Sequence, residues 1–579
     1  MAADSKPRFA TIKQWEDADA SLVQAVARFF ETSALLERQL TTRDGNTNDL
    51  VTRIDSSLNY LQKFMQQQIG GAQLALAKTR NRVARSILAM PREVLSEIFL
   101  YSVYDPTHEQ PFFNLTISME RRVSIIYRRL YSLMGVCMSW RDVGLFCGAL
   151  WSVVPVIDPF RGLPKTLSTD LSLQRARGKG LYLAVSLPKS SSSRFEALLG
   201  DLSRFTAINL YQKSYNHTPP ADLLATILES VEPKQLSQLS LGGPSVVNGR
   251  AFTWPGSLLF SSPRLSGLEA RFLRILSSLS ALQLHGMDLD WKHMTLSKSL
   301  TTVQISGIAL GYSGVYSLIS ALSSANKLRN LELVAIRALV DTNEAKTQTQ
   351  NLVFPELESL HLGDLNLNVL RLLIEVIASG TYDLTIELTE ASCTSYWSED
   401  PEHPFNYNSV SHRPSGVHEI LEMTSINKLV LTRNGGTFWG GSSTLHNLLG
   451  YTPKVKTLVL NGFMLDLAML RALRPIPRPR AWGPVIFPKL KTLEFRYAKL
   501  AGPLVDLKPG FEDLLSRQRI QRMVIGTHAQ ESEYSVTRSI DEDDELIEWF
   551  KSKVPEFYLF PEINTIYKIN DDTWQLWNA

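Results

Sequence analysis

An α/β fold carrying a parallel sheet is predicted by three features of the chain. Triplets spaced apolar-x-x-apolar-x-apolar recur from Phe205 onward, mostly about 30 residues apart. Stretches with helical periodicity fall between many of them, as expected where parallel strands are joined by crossover helices. The 579 residues, 44% hydrophobic and 20% charged, are enough for several units with large apolar cores. In chain order the prediction is a helical hairpin over 1–85, a small all-α domain over 86–155, strand-helix repeats over 160–540, and an acidic linker and tail over 541–579.

The hairpin is read from two apolar series. Ile12, Trp15, Asp19, Leu22, Val26, Phe29, Ser33, Leu36 and Leu40 recur at alternating steps of three and four, the spacing that keeps one seam facing a partner helix. After the turn signal Arg43-Asp44-Gly45-Asn46 come Ile54, Leu58, Leu61, Met65, Ile69, Ala72, Leu76 and Val83. Gly70 and Gly71 should weaken or kink the second helix. An antiparallel pair in which each stripe covers the other is the simplest arrangement, and a dimerising coiled coil is the alternative.

The repeats are read from ten triplets. They are Phe205/Ile208/Leu210, Leu236/Leu239/Leu241, Leu279/Leu282/Leu284, Leu300/Val303/Ile305, Leu328/Leu331/Leu333, Leu357/Leu360/Leu362, Ile426/Leu429/Leu431, Val455/Leu458/Leu460, Leu490/Leu493/Phe495 and Ile520/Met523/Ile525. The longest interval has room for one more strand at Leu384, Ile386 and Leu388. Helices are expected over 221–231, 315–324, 369–378, 417–423 and 444–449. This grammar resembles leucine-rich repeats, which implies an irregular solenoid with a parallel sheet, because one such unit cannot bury its own apolar face. Residues 392–415, with Pro401, Pro404 and Pro414, read as an insertion loop. Residues 473–488 read as an extended, solvated Arg/Pro loop. The acidic run Asp541 to Glu545 favours the first turn of a short helix over 546–554.

Between hairpin and repeats lie Leu88-Ala89-Met90-Pro91-Arg92-Glu93-Val94-Leu95-Ser96-Glu97-Ile98-Phe99, then Val136-Cys137-Met138-Ser139-Trp140-Arg141, then Leu150-Trp151-Ser152. Pro91 suits the first turn of a helix, where its missing N–H costs nothing. Together these segments resemble the F-box, and their order ahead of repeats is similar to fungal F-box proteins of the mushroom-forming lineage. Met90 stands where that family most often has Leu, and Asp105 to Arg129 separates the two halves by more than the usual spacing. The resemblance implies docking to a Skp-family adaptor, and through it to a cullin-RING ubiquitin ligase. The contacts it implies are Met90, Pro91, Val94, Leu95, Ile98, Phe99, Val136, Cys137, Trp140 and Trp151.

A formal charge of +3 argues against field-driven adhesion to nucleic acid or anionic membrane. Three cysteines make no disulfide framework, and a reducing cytoplasmic or nuclear compartment is expected. No secretory signal and no run long enough to span a bilayer is evident. Phosphate-cradling, nucleophile-elbow and metal-ligand motifs are missing, so a non-catalytic chain without metal or cofactor is expected. A protein client is expected on the inner strand face, at Gln283, Gln304, Glu332, His361 and Glu494 between paired apolar positions, with Thr432 and Arg496 one alternation further. Arg474, Arg478 and Arg480 form a second candidate, suited to an acidic or phosphorylated segment. The reading is therefore a substrate receptor of a ubiquitin ligase; its alternative is a repeat scaffold that binds an adaptor, or another partner, without ligase assembly.

Overall fold

The computed structural model describes residues 6–39, 47–83, 90–104, 118–157, 169–176, 178, 180–187, 198–212, 221–243, 259–341, 351–398, 409–433, 441–475, 487–527 and 544–560. Contacts divide the chain into two compact units, Met1–Met90 and Pro91–Ala579.

The first unit contains α1 (Lys6–Gln39) and α2 (Thr47–Val83). The two apolar series form helices, but they do not cover each other. No described side chain of either helix is buried, and no extended contact joins them. Heptad spacing specifies a seam without specifying its partner, which is why the expected hairpin packing fails. Helix α2 continues through Gly70 and Gly71, where an added Cβ would meet nothing within 4 Å.

The second unit begins with α3 (Arg92–Tyr104), α4 (Met119–Val136) and α5 (Met138–Phe146). The carbonyl of Pro91 accepts the first helical bond, from the Leu95 N–H, so the proline stands just ahead of α3. Ser118 caps α4 by accepting from the Arg121 N–H. Four arginines of the 105–129 interval, Arg121, Arg122, Arg128 and Arg129, lie on α4. There the Arg122 and Arg129 guanidinium groups donate to the carbonyls of Tyr104 and Val103, satisfying the last turn of α3 and its negative dipole end. Residues 105–117 of that interval lie outside the described residues.

Strands then follow one another: β1 (Val153–Ile157), β2 (Leu181–Leu187), β3 (Phe205–Gln212), β4 (Gln238–Gly242), β5 (Ala281–His285), β6 (Thr302–Ser306), β7 (Ala309–Gly311), β8 (Asn330–Val334), β9 (Arg337–Asp341), β10 (Ser359–Gly363), β11 (Asp383–Leu388), β12 (Thr394–Ser398), β13 (Ser409–His412), β14 (Lys428–Thr432), β15 (Thr457–Asn461), β16 (Met464–Leu465), β17 (Thr492–Leu500), β18 (Arg522–Thr527) and β19 (Glu556–Phe560). One parallel sheet of 15 strands runs β1-β2-β3-β4-β5-β6-β8-β10-β11-β14-β15-β17-β18-β19, with β16 on β17. A second sheet of four strands runs β13-β12-β9-β7.

The middle and last residues of all ten triplets lie in the large sheet, as does the additional strand, and the triplet positions of neighbouring strands face one another: Leu282 faces Val303, and Val303 faces Leu331. Their apolar residues are buried, and each of the helices α6 (Thr169–Ala176), α7 (Ala221–Ser230), α8 (Glu269–Leu276), α9 (Tyr312–Ser323), α10 (Leu367–Val376), α11 (Pro414–Met423), α12 (Ser442–Gly450), α13 (Leu467–Ala472) and α14 (Lys508–Arg517) buries an apolar face against them. The five expected helices are α7 and α9 to α12. The sheet extends beyond the expected repeats at both ends. β1 and β2 precede the first triplet, and β19 continues the order past the boundary set at 541. Helix α15 (Asp544–Lys553) is the short helix expected after the acidic run. Its Phe550 stacks on Phe557 of β19 at 4.4 Å and meets Phe511 of α14 edge-on at 5.0 Å, closing the core at that end.

Main strands end on a recurring corner. The residue four places after the middle of the triplet has positive φ at Gly286, Gly307, Ala335, Asp364, Gly462 and Tyr497. This turn sends the chain into β7 after β6, into β9 after β8 and into β16 after β15, which adds the second layer of pairing. Residues 392–415 are thus no simple insertion loop: β12 and β13 pair antiparallel there, and β12 pairs with β9. At one corner Asp364, buried, accepts from Arg337 Nη2 at 2.7 Å and from Thr389 Oγ1 at 2.5 Å. This ion pair is nearly dry and every member is hydrogen-bonded, the condition under which a buried pair is tolerated.

Candidate functional site

Two surfaces of the second unit hold the expected site residues. The first is on α3 to α5. Leu95, Phe99 and Val103 fall on the buried face of α3, and Phe99 meets Trp140 of α5 edge-on at 4.9 Å. Trp151 is fully buried: its indole N–H donates to the Gly144 carbonyl at 2.8 Å, and the Arg175 guanidinium lies 4.4 Å over its ring. Leu95, Phe99 and Trp151 therefore serve the core of this small helical layer. The opposite face of α3 shows Val94 and Tyr101 to solvent, with Ile98 half-buried between them and Pro91 exposed ahead. At the junction of α4 and α5, Val136 and Met138 are exposed and flank half-buried Cys137, with Trp140 half-buried one turn on. Met90 is exposed and belongs to the first unit.

The layer is anchored to the start of the sheet by polar contacts. The Tyr127 hydroxyl donates to the Val153 carbonyl at 2.7 Å and pairs with Ser172 Oγ at 2.6 Å, and Glu120 accepts from Ser186 on β2. Burial pushes the Tyr127 phenol far above its ordinary range and raises that of Tyr104 to about 12. Both rings are thus fixed neutral donors.

The second surface is the sheet face turned away from the helices. Parallel register brings equivalent positions of neighbouring strands about 4.8 Å apart, so the polar residues between triplet positions touch along the sheet. Ser240 Oγ donates to Gln283 Oε1 at 2.5 Å, and His285 Nδ1 meets Ser306 Oγ at 2.8 Å. Further on, His361 Nδ1 lies 3.0 Å from Glu332 Oε1, and its Nε2 lies 3.7 Å from Glu387 Oε2. Glu387 Oε1 accepts from Thr432 Oγ1 at 2.8 Å, which in turn accepts from Asn461 Nδ2 at 2.9 Å. The series Glu332-His361-Glu387-Thr432-Asn461 thereby crosses five neighbouring strands, from β8 through β10, β11 and β14 to β15. On β17, Arg496 donates twice to Glu494, at 2.6 and 3.0 Å.

Gly363 leaves room at the centre of this series. An added Cβ there would lie 3.2 Å from His361 Nε2 and 3.5 Å from Glu387 Oε2. Burial alone would lower the His361 pKa, but the two glutamates outweigh it and lift it to about 10. At neutral pH the ring is an imidazolium held between carboxylates. Lys428, on the same side of β14, is shifted down by burial and by the Arg496 charge.

The strand-face residues named from the sequence are thus brought onto one face, but not as open solvent contacts. Gln283, Thr432 and Glu494 are buried, Gln304, Glu332 and His361 are half-buried, and Arg496 is tied to Glu494. Arg474 is not a free member of a solvated loop: it forms an ion pair with Asp513 of α14. Arg478 and Arg480 lie outside the described residues. Sequence reasoning missed Glu387, Asn461 and Lys428. Extending the two-residue alternation one step either side of each triplet finds Lys428 and Asn461. Glu387 stands between Ile386 and Leu388 and is found by the same alternation; its approach to His361 is not, because β11 slides by two residues, with Leu384 facing Leu360 on one side and Ile386 facing Leu429 on the other.

Compared with known proteins, the chain matches no family model and no curated protein. Among the described residues, no helix is long and apolar enough to cross a membrane, and no group of His, Cys, Asp or Glu could hold a metal ion.

Proposed function

We propose that this chain is the non-catalytic substrate-recognition subunit of a Skp-cullin-F-box type ubiquitin ligase, acting in the cytoplasm or nucleus. In this reading α3 to α5 form an F-box that docks a Skp-family adaptor, and the strand-helix array is a leucine-rich-repeat solenoid that holds a protein client. The supporting observation is the division of labour in the helical layer: Leu95, Phe99 and Trp151 build its core, while Pro91, Val94, Ile98, Val136, Cys137 and Trp140 keep apolar surface open. Covering such side chains contributes roughly 1.5–3 kcal/mol each, so a few of them suffice as anchors. The polar series on the strand face supplies a rigid platform, because its side chains are already held by one another. Catalysis in the complex would come from proximity, as a client held on the array is presented to a ubiquitin-charged enzyme recruited by other subunits.

The test is a pull-down with purified Skp-family adaptor. Val94→Asp with Val136→Asp alters exposed side chains only, so the fold should persist by circular dichroism while adaptor capture is lost. Leu95, being buried, is unsuitable for this purpose. Wild-type chain that captures no adaptor, or a folded double variant that captures it undiminished, sinks the proposal. Capture of adaptor without cullin in the reconstituted mixture would support the scaffold alternative.

A further inference from the structure

Helix α1 carries an apolar seam that is not buried by any described residue. Ile12, Trp15, Leu22, Val26, Phe29 and Leu36 are each 43–51% exposed, and Val23 and Phe30 beside them are more open still. Eight such side chains offer about 800 Å² on one face, far more than an isolated surface residue and about one partner's share of a standard protein interface. Contiguous apolar surface of this size marks an interaction site. The heptad steps define what fits: a second helix of similar length, supercoiled along the same seam.

We propose that α1 pairs antiparallel with α1 of a second copy of this chain. Charge decides the orientation. Parallel pairing in register would set Asp19 against Asp19 in the seam, a like-charge contact in a drying interface. Antiparallel pairing centred at Gln24 sets Ile12 against Leu36 and Leu22 against Val26, and moves the two Asp19 carboxylates about 15 Å apart, each opposite Phe29 of the other copy. It also brings Lys13 near Glu37 of the second copy along one flank. On the flanks Val23 meets its own counterpart, and Ala18 and Ala25 allow close approach. Helix α2 lacks these properties: its apolar series breaks step at Ile69, and Gly70 and Gly71 interrupt the seam.

Light scattering on the full chain at micromolar concentration tests this. The expected mass is twice the 65.1 kDa of one chain. Leu22→Glu with Phe29→Glu, both at exposed positions, should return it to one chain mass without loss of the folded sheet, whereas Leu58→Glu on α2 should leave the dimer intact. A monomeric wild type overturns the proposal, including one that instead binds phosphatidylserine vesicles, and so does a dimer that survives the α1 double variant. Spin labels at Lys13→Cys, in a background with Cys137→Ser and Cys147→Ser, read the orientation. The antiparallel pair predicts a separation of about 33 Å from 22 residues of helix rise; a separation near 10–15 Å, the neighbouring-helix distance plus label arms, overturns the antiparallel arrangement.

Discussion

Ile12, Leu22 and Phe29 on α1 stand open to solvent, whereas Leu331, Leu333 and Leu360 in the sheet are at most 1% exposed. Both sets are periodic, one at the helical and one at the strand repeat. The difference lies in where the complementary surface is encoded. Each strand of the sheet finds its partner in the next repeat of the same chain, so adding a unit buries the one before it. The seam of α1 finds no such partner in α2, and its energy is realised only on association.

That contrast is open to measurement. The largest expected effect is from Phe272→Ala on α8, whose ring is fully buried 5.2 Å from Phe260; emptying that volume should cost about 3–5 kcal/mol in denaturant unfolding of the sheet. Phe29→Ala should leave the same transition in place, and an equal loss in both variants would erase the distinction between the two regions.

A smaller effect concerns pH. The His361 pKa is raised to about 10 from the ordinary 6.5, so the ring's stabilising charge is complete below about pH 6.5 and is lost as pH rises through 10. Denaturant midpoints should therefore fall between pH 7 and 10 in the wild type and fall less in His361→Gln. A variant with the same slope as wild type would show that the imidazolium does not support the sheet.

The smallest effect belongs to α2. Gly70→Ala and Gly71→Ala meet open space, so each should stabilise the helix by about 1 kcal/mol and raise helicity by circular dichroism. Loss of helicity would show that the glycines serve a contact the isolated chain does not make.

Much of the sheet was legible in the sequence because the apolar triplets have the strand period and recur. The spacing placed Leu239, Leu331 and Leu458 in strands without any knowledge of their partners. Strands β1 and β2 escaped because Val153-Val154-Pro155-Val156-Ile157 is apolar throughout and Leu181 has no apolar residue three places earlier. Among the short strands of the second sheet, β9 escaped because the chain enters it through a corner at Ala335, where φ is positive without a glycine to announce it. In the helical layer of α3 to α5 the motif located the helices but could not say which side chains look inward. Leu95 and Val94 are adjacent in sequence, and only the packing of α4 and α5 assigns one to the core and the other to solvent. The polar series was half legible: residues between triplet positions were identified, but their mutual hydrogen bonds depend on strand register.

The strand order carries a mechanical consequence. Since each main strand is zipped only to its immediate predecessor and successor, tension applied at one end of the array loads a single seam at a time. The molecule should yield by successive peeling, repeat after repeat, as a ratchet of small extensions in place of one abrupt rupture.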